Sequence, residues 1–158
     1  MISLEHYGWS NFSQPEITQD NLIIGRITSI RGFKYYALTA NGEMEAELSG
    51  KLLHGNSTEE LPKLGDWVTL KDYDTLGYII DVLKRRNELS RKNPGAKMEK
   101  QILATNVDGA LIVQGLDRNF NIMRLERYLV HLNNIPCGTY PIDKVSSLKQ
   151  QKGQINGS

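Results

Sequence analysis

The chain has 158 residues, 39% of them hydrophobic, a formal net charge of +1 and one cysteine, Cys137. That length fits one ordinary domain, or a small domain plus a piece of another. A lone cysteine excludes an internal disulfide framework and a cysteine zinc cluster, and it points to a reducing, cytoplasmic setting. No apolar run approaches the ~20 residues of a membrane span, and Met1–Asp20 lacks the basic start and apolar middle of a secretory signal.

Residues 1–21 read as an arm, with Leu4, Tyr7 and Trp9 placed to staple it to the domain behind. From Leu22 to Leu83 the pattern is β. LIIGRITSI is rich in β-branched residues, and Arg26 points away from its isoleucine neighbours. Arg31-Gly32 reads as a turn, Phe33–Thr39 as a second strand, and Asn41-Gly42 as a hairpin. Glu43–Leu48 sets Met44, Ala46 and Leu48 against three glutamates, so one face is wet. Ser49–Leu64 is a long connection or a short helix, Trp67–Leu70 a fourth strand and Leu76–Leu83 a fifth. Five short strands with a long excursion after the third fit a Greek-key barrel of the OB type, spanning 22–83. Closure would also remove the exposed edges of so small a sheet.

Residues 84–106 read as a basic connector. Its first seventeen, KRRNELSRKNPGAKMEK, carry seven Lys or Arg against Glu88 and Glu99, and Asn93-Pro94-Gly95 is a turn signal. Before this stretch the chain is acidic, with six cations and twelve carboxylates over residues 1–83. A charge run is usually a solvated surface. Here the uneven distribution matters more than the net charge.

Val107–Gly115 differs in kind. Ala110–Val113 is a continuous apolar run, as in a strand buried on both faces of a parallel sheet. Asn121 then caps a helix with Ile122, Leu125, Leu129 and Leu132 on one face. Strand and helix over 107–133 open an α/β domain, which should continue with a second parallel strand. Residues 134–158 contain Pro136, Pro141 and a Gln/Lys/Gly/Ser tail; they read as disordered, with no such strand. The stub would then be unpaired and prone to aggregate, the chain otherwise a monomer.

The segments GRITSIRGFKYYAL, AELSGKLLH, LGDWVTL, RRNELSRK and NVDGALIVQGLDRNFNIMRLERYL occur in this order. Together with Gly8-Trp9 they make the chain resemble the ribosome small-subunit-dependent GTPases of the RsgA/YjeQ type, from about Gly8 to Leu132. The resemblance implies an OB barrel that binds small-subunit ribosomal RNA, followed by a circularly permuted GTPase domain and a zinc-binding helical domain. It implies GTP, Mg and Zn as the family's cofactors and small-subunit ribosomal RNA as partner, with neither membrane nor DNA. It also implies that 107–133 is the first strand and helix of the GTPase domain.

The guanine-reading N-K-x-D and the phosphate loop are expected next and do not occur in these residues. The expectation is therefore a truncated, RNA-binding N-terminal portion with no cofactor of its own, inactive as a GTPase alone. The alternative is one part of a split or frameshifted GTPase whose catalytic half is encoded separately.

Two look-alikes are set aside. Gly50–Ser57, GKLLHGNS, mimics G-x-x-x-x-G-K-[ST] but has Asn56 where a lysine must meet phosphate. Asp74–Gly77 spells D-x-x-G inside the barrel. His6, His54 and His131 lack ligand spacing. Trp67, Tyr35 and Tyr36 suit barrel walls better than stacking platforms. The candidate RNA contacts are Arg26, Arg31, Lys34 and Lys51 on the barrel and Arg85, Arg86, Arg91 and Lys92 in the connector, because guanidinium and ammonium groups suit phosphate oxygens.

Overall fold

The computed structural model describes residues 1–12, 21–55, 57–73, 76–92, 100–112, 121–135 and 138–140. Met1–Asn106 forms one compact unit and Val107–Ser158 another.

In the first unit the strands β1 (Leu22–Arg31), β2 (Lys34–Thr39), β3 (Gly42–Leu48), β4 (Trp67–Tyr73) and β5 (Leu76–Val82) close a barrel in the order β1-β2-β3-β5-β4. This is the expected OB topology. Every pairing is antiparallel except β3 with β5, where Ala46 faces Gly77. That parallel step requires a crossover, and α1 (Gly50–Gly55) lies on it.

The alternation of the sequence decides which side chains enter the core. Ile27, Tyr35, Ala37, Ala46, Val68, Leu70 and Ile79 cluster inside, and α1 adds Leu52. Thr39 is buried among them, but the β2–β3 turn satisfies its hydroxyl: it donates to Gly42 O at 2.9 Å and accepts from Asn41 N–H at 3.2 Å. Gly25 faces the same interior, where a Cβ would stand 2.6 Å from Leu70 Cδ1.

The arm docks as two 3₁₀ turns, Leu4–Tyr7 and Trp9–Asn11. Trp67 points outward from β4, yet it is buried, because Trp9 packs against it with ring centroids 4.8 Å apart and Phe12 lies 6.3 Å away. Ile2 N–H donates to Ala40 O at 2.8 Å. Of the three expected staples, Trp9 does this through its ring and Tyr7 through its carbonyl.

Residues 84–106 are not simply a connector. β6 (Glu88–Lys92) and β7 (Lys100–Thr105) pair antiparallel, from Glu88 opposite Thr105 to Lys92 opposite Lys100. β6 has three charged residues in five, and β7 is short and mixed, so neither shows a clear alternation to a hydrophobicity reading. The turn signal Asn93-Pro94-Gly95 lies outside the described residues.

In the second unit β8 covers only Gly109–Leu111, and Leu111 is 57% exposed. The expectation of a strand buried on both faces is not met over those residues. The expectation that no second parallel strand follows the helix is also overturned, since β9 (Gly138–Tyr140) runs parallel to β8. Three residues between Pro136-Cys137 and Pro141 were too few to register as a pattern. Between them lies α2 (Ile122–Asn133), capped as predicted: Arg124 N–H donates to Asn121 Oδ1 at 3.0 Å. Leu125 and Leu132 are buried, while Ile122 is exposed. The tail read as disordered falls, from 141 to 158, outside the described residues.

Candidate nucleic-acid interface

The predicted cations do not form one patch. Those whose side chains are described divide into those that hold the fold together and those that face outward.

Arg85 belongs to the first kind. Its Nε and Nη2 donate to the two oxygens of Asp66 at 2.9 and 2.8 Å, and its remaining donors reach Glu59 O at 2.8 Å and Leu61 O at 3.0 Å. Asp66 is completely buried and accepts two further bonds, from Lys63 N–H at 2.7 Å and Thr105 Oγ1 at 2.6 Å. The Asp66 hydrogen bond, acting against the cost of burial, raises the pKa of Arg85, so the guanidinium keeps its charge. This network ties the loop before β4 to both ends of the β6–β7 hairpin.

Arg26 is the second internal tie. It lies beside Trp67, with its guanidinium carbon 5.5 Å from the ring centroid. It donates to Tyr7 O in the arm, to Gly65 O at 3.4 Å and to Asn106 O at 2.9 Å. Asn106 is buried with φ +52°, and both ends of its side-chain amide are engaged: Oδ1 accepts from Arg86 N–H at 2.8 Å and Nδ2 donates to Gly65 O at 3.1 Å. A phosphate could reach Arg26 or Arg85 only by dismantling these contacts.

The β1–β2 turn presents the other kind. Gly32 takes φ +63°, which leaves a two-residue loop with Phe33 at its tip, 94% exposed. Arg31 and Lys34 flank it as a cross-strand pair. Arg31 stacks over Tyr36 with its guanidinium carbon 4.9 Å from the ring centroid. Lys34 Nζ meets Glu45 Oε1 at 2.5 Å, and Tyr36 OH donates to the other Glu45 oxygen at 3.3 Å. The hydrogen bond and charge of Glu45 raise the pKa of Lys34, and Lys34 lowers that of Glu45. Because the pair is exposed it adds little stability, and a phosphate can replace Glu45 at small cost.

Lys51 stands on α1, with Nζ 3.5 Å from Asp81 Oδ1 across an exposed surface. Arg86 and Arg91 are exposed, Arg91 donating to Gln101 Oε1 at 2.8 Å. Lys92 ends β6. Sequence reasoning missed Phe33 as a functional candidate by counting it into the strand; its place directly after Arg31-Gly32 was the available signal.

The look-alike phosphate loop does not fit phosphate. Gly50–Gly55 is a helix rather than a loop that opens one, and its lysine is paired with Asp81. Asp74 and Thr75 lie outside the described residues. Among those described, no helix is long and apolar enough to cross a membrane.

A family model described as RsgA GTPase matches residues 82–152. Among curated proteins, the small ribosomal subunit biogenesis GTPase RsgA 1 of Bacteroides thetaiotaomicron is 37% identical over 134 residues, covering 82% of this chain and 38% of the relative. The corresponding protein of Opitutus terrae is 36% identical over 143 residues, covering 81% and 39%. The chain thus spans about two fifths of the length of these relatives. Among solved structures, YloQ, a circularly permuted GTPase, superposes with a TM-score of 0.54 at 18% identity, over 87% of this chain and 49% of that one. YjeQ from Thermotoga maritima superposes with a TM-score of 0.55 at 19% identity, over 84% and 48%.

Proposed function

Because the chain is an RsgA-type N-terminal part, we propose that it is the ribosomal-RNA-binding portion of a GTPase that acts in biogenesis of the small ribosomal subunit, in the cytoplasm. The observation that carries this reading is the β1–β2 turn of the barrel. Phe33 stands almost wholly in solvent between two cations, Arg31 and Lys34. An exposed aromatic ring costs solubility unless it stacks on something, and a base offers a π-face of matching size. The first hairpin loop is also one of the two that OB barrels use to bind oligonucleotides.

Each side chain then has a role. Phe33 stacks on an unpaired base. Arg31, held in place over Tyr36, and Lys34, released from Glu45, neutralise the flanking phosphates. Arg86, just before the hairpin, and Arg91, on it, supply further phosphate contacts. Arg26 and Arg85 contribute indirectly, by fixing the arm and hairpin against the barrel. Binding and hydrolysis of GTP belong to motifs that do not occur in these 158 residues.

The test is the salt dependence of binding to single-stranded fragments of small-subunit ribosomal RNA. Each neutralised phosphate contributes about −0.7 to the log–log slope, so Arg31→Ala with Lys34→Ala should make the slope shallower by about 1.4. Phe33→Ala should weaken binding by about 1–3 kcal/mol at unchanged slope. Binding indifferent to salt, or to all three changes, would rule the reading out.

A further inference from the structure

The wall beside the β1–β2 turn carries three carboxylates in a row. Along β3 the buried Ala46 alternates with Glu43, Glu45 and Glu47, so all three face away from the core. On β2, Leu38 stands opposite Glu43 and Tyr36 opposite Glu45. The pairing runs on to Tyr35 opposite Ala46, which sets Lys34 beside Glu47; the charge of Glu47 helps Glu45 to raise the pKa of Lys34.

Of the three, Glu45 alone has a cation within 4.0 Å among the described residues, Lys34 Nζ at 2.5 Å. Glu43 meets the hydroxyl of Thr28 at 3.1 Å, and both Glu43 and Glu47 are exposed. The heads of both turn cations reach onto this wall. Lys34 does so at Glu45, and Arg31 does so over the ring of Tyr36, whose hydroxyl bonds the same Glu45. A phosphate that touches Lys34 therefore arrives among carboxylates. Alternate residues of a strand lie about 7 Å apart, inside the ~8 Å screening length at physiological salt, so neighbouring carboxylates act together.

This arrangement distinguishes the forms of RNA. In a single strand one phosphate can meet Lys34 while its neighbours swing clear and an unstacked base turns to Phe33. A duplex keeps its bases stacked inside and offers its surface as phosphate and sugar. Its regular line of phosphates would continue past Lys34 onto the carboxylates, and like charges set side by side are costly.

We infer that the carboxylate row of β3 is the specificity element of this turn: Glu43, Glu45 and Glu47 repel duplex RNA, and Glu45 occupies Lys34 until a single strand displaces it. A repulsive group set against the wrong partner discriminates as surely as an attractive one set for the right partner. The inference rests on the reading of the turn as an RNA site and names the form of RNA it selects.

The experiment measures binding of the full chain, by fluorescence anisotropy at one fixed salt concentration, to a single-stranded RNA of about 12 nucleotides, a length one OB barrel can cover, and to the same strand annealed to its complement. The parent should prefer the single strand. Changing Glu43, Glu45 and Glu47 together to Gln should tighten duplex binding about tenfold and single-strand binding no more than about threefold. Glu43→Gln with Glu47→Gln, which leaves the Lys34–Glu45 pair intact, should also favour the duplex, and it serves if the triple variant fails to fold. Glu45→Gln alone should tighten single-strand binding by up to about threefold, and Lys34→Ala should abolish that gain, because there Glu45 acts by holding Lys34. Equal gains for the two forms, no gain for the duplex, or a Glu45→Gln gain that survives Lys34→Ala would overturn the inference. If the parent's single-strand binding responds to Phe33→Ala while these outcomes fail, the inference falls alone. If the parent binds neither form, the RNA reading falls and the inference falls with it.

Discussion

Arg85 offers the sharpest test, because phosphate contact and internal tie predict opposite results for its removal. Asp66 is fully buried and receives four hydrogen bonds, two of them from Arg85, whose side chain is 18% exposed. Removing one partner of such a pair strands the other charge, at a cost of about 3–5 kcal/mol. Arg85 retains some solvent access, so Asp66→Ala should fall near the lower end, about 3 kcal/mol. Arg85→Met keeps the stem and deletes the charge; it leaves Asp66 with only Lys63 N–H and Thr105 Oγ1, at a similar cost. For a unit of this size each kcal/mol moves the melting temperature by about 4–8 °C, so either change should lower it by about 12–24 °C. The double variant should cost less than the sum of the singles, by about 2 kcal/mol, because the second change removes a charge already stranded. Urea denaturation of the four proteins gives this cycle, and the coupling should survive high salt, since a buried pair is poorly screened. If Arg85→Met melts within a few degrees of the parent while RNA affinity falls, the internal role is wrong and Arg85 is a surface ligand for phosphate.

Gly65 has φ +90°, and a Cβ there would lie 2.2 Å from Thr105 O. Gly65→Ala therefore combines a left-handed backbone penalty of about 1–2 kcal/mol with a clash against main chain, and a melting temperature near the parent's would contradict the described contact between this loop and β7. Lys63 sheds its proton more readily in the folded chain than in the unfolded one. Its charged form penalises folding below the folded pKa, and stability should rise as pH climbs from there towards the ordinary lysine value of about 10.4. Lys63→Gln should remove that rise from the pH series of urea midpoints, and identical pH profiles would refute the burial argument. These 158 residues should show no saturable binding of a non-hydrolysable GTP analogue with Mg²⁺ below about millimolar, and a micromolar one-to-one isotherm would show that a nucleotide site has been missed.

The barrel was legible because its information is local. Alternation fixes which face each strand presents, Asn41-Gly42 fixes a hairpin, and the five strands appear where the pattern places them, to within a few residues at most ends. The internal ties were not legible because they are long-range. Nothing near Arg85 in sequence announces Asp66, nineteen residues earlier, and seven cations in seventeen residues look like a surface. Arg26 illustrates the limit of alternation itself: it does point out of the barrel, as read, but the arm covers that wall. In the second unit, pattern strength misled in both directions. The apolar run Ala110–Val113 promised a buried strand, and Leu111 is exposed; the three residues of β9 promised nothing, and they pair.

The bond from Arg26 to Asn106 joins residues 80 apart in the chain. A growing polypeptide releases its residues in order, at about 5–20 per second, so the arm and first strand wait about 4–16 s before their last partner emerges. During that interval Trp67, once made, has the arm and an Arg26 not yet anchored to Asn106 to cover it, and β1 has no β4 until residue 67 has been added. The first unit can therefore be wound early but fastened only at its final residue. Any change that loosens Arg26, Gly65 or Asn106 should reveal itself first as a lower yield of folded protein during synthesis, before it reveals itself in the stability of the finished molecule.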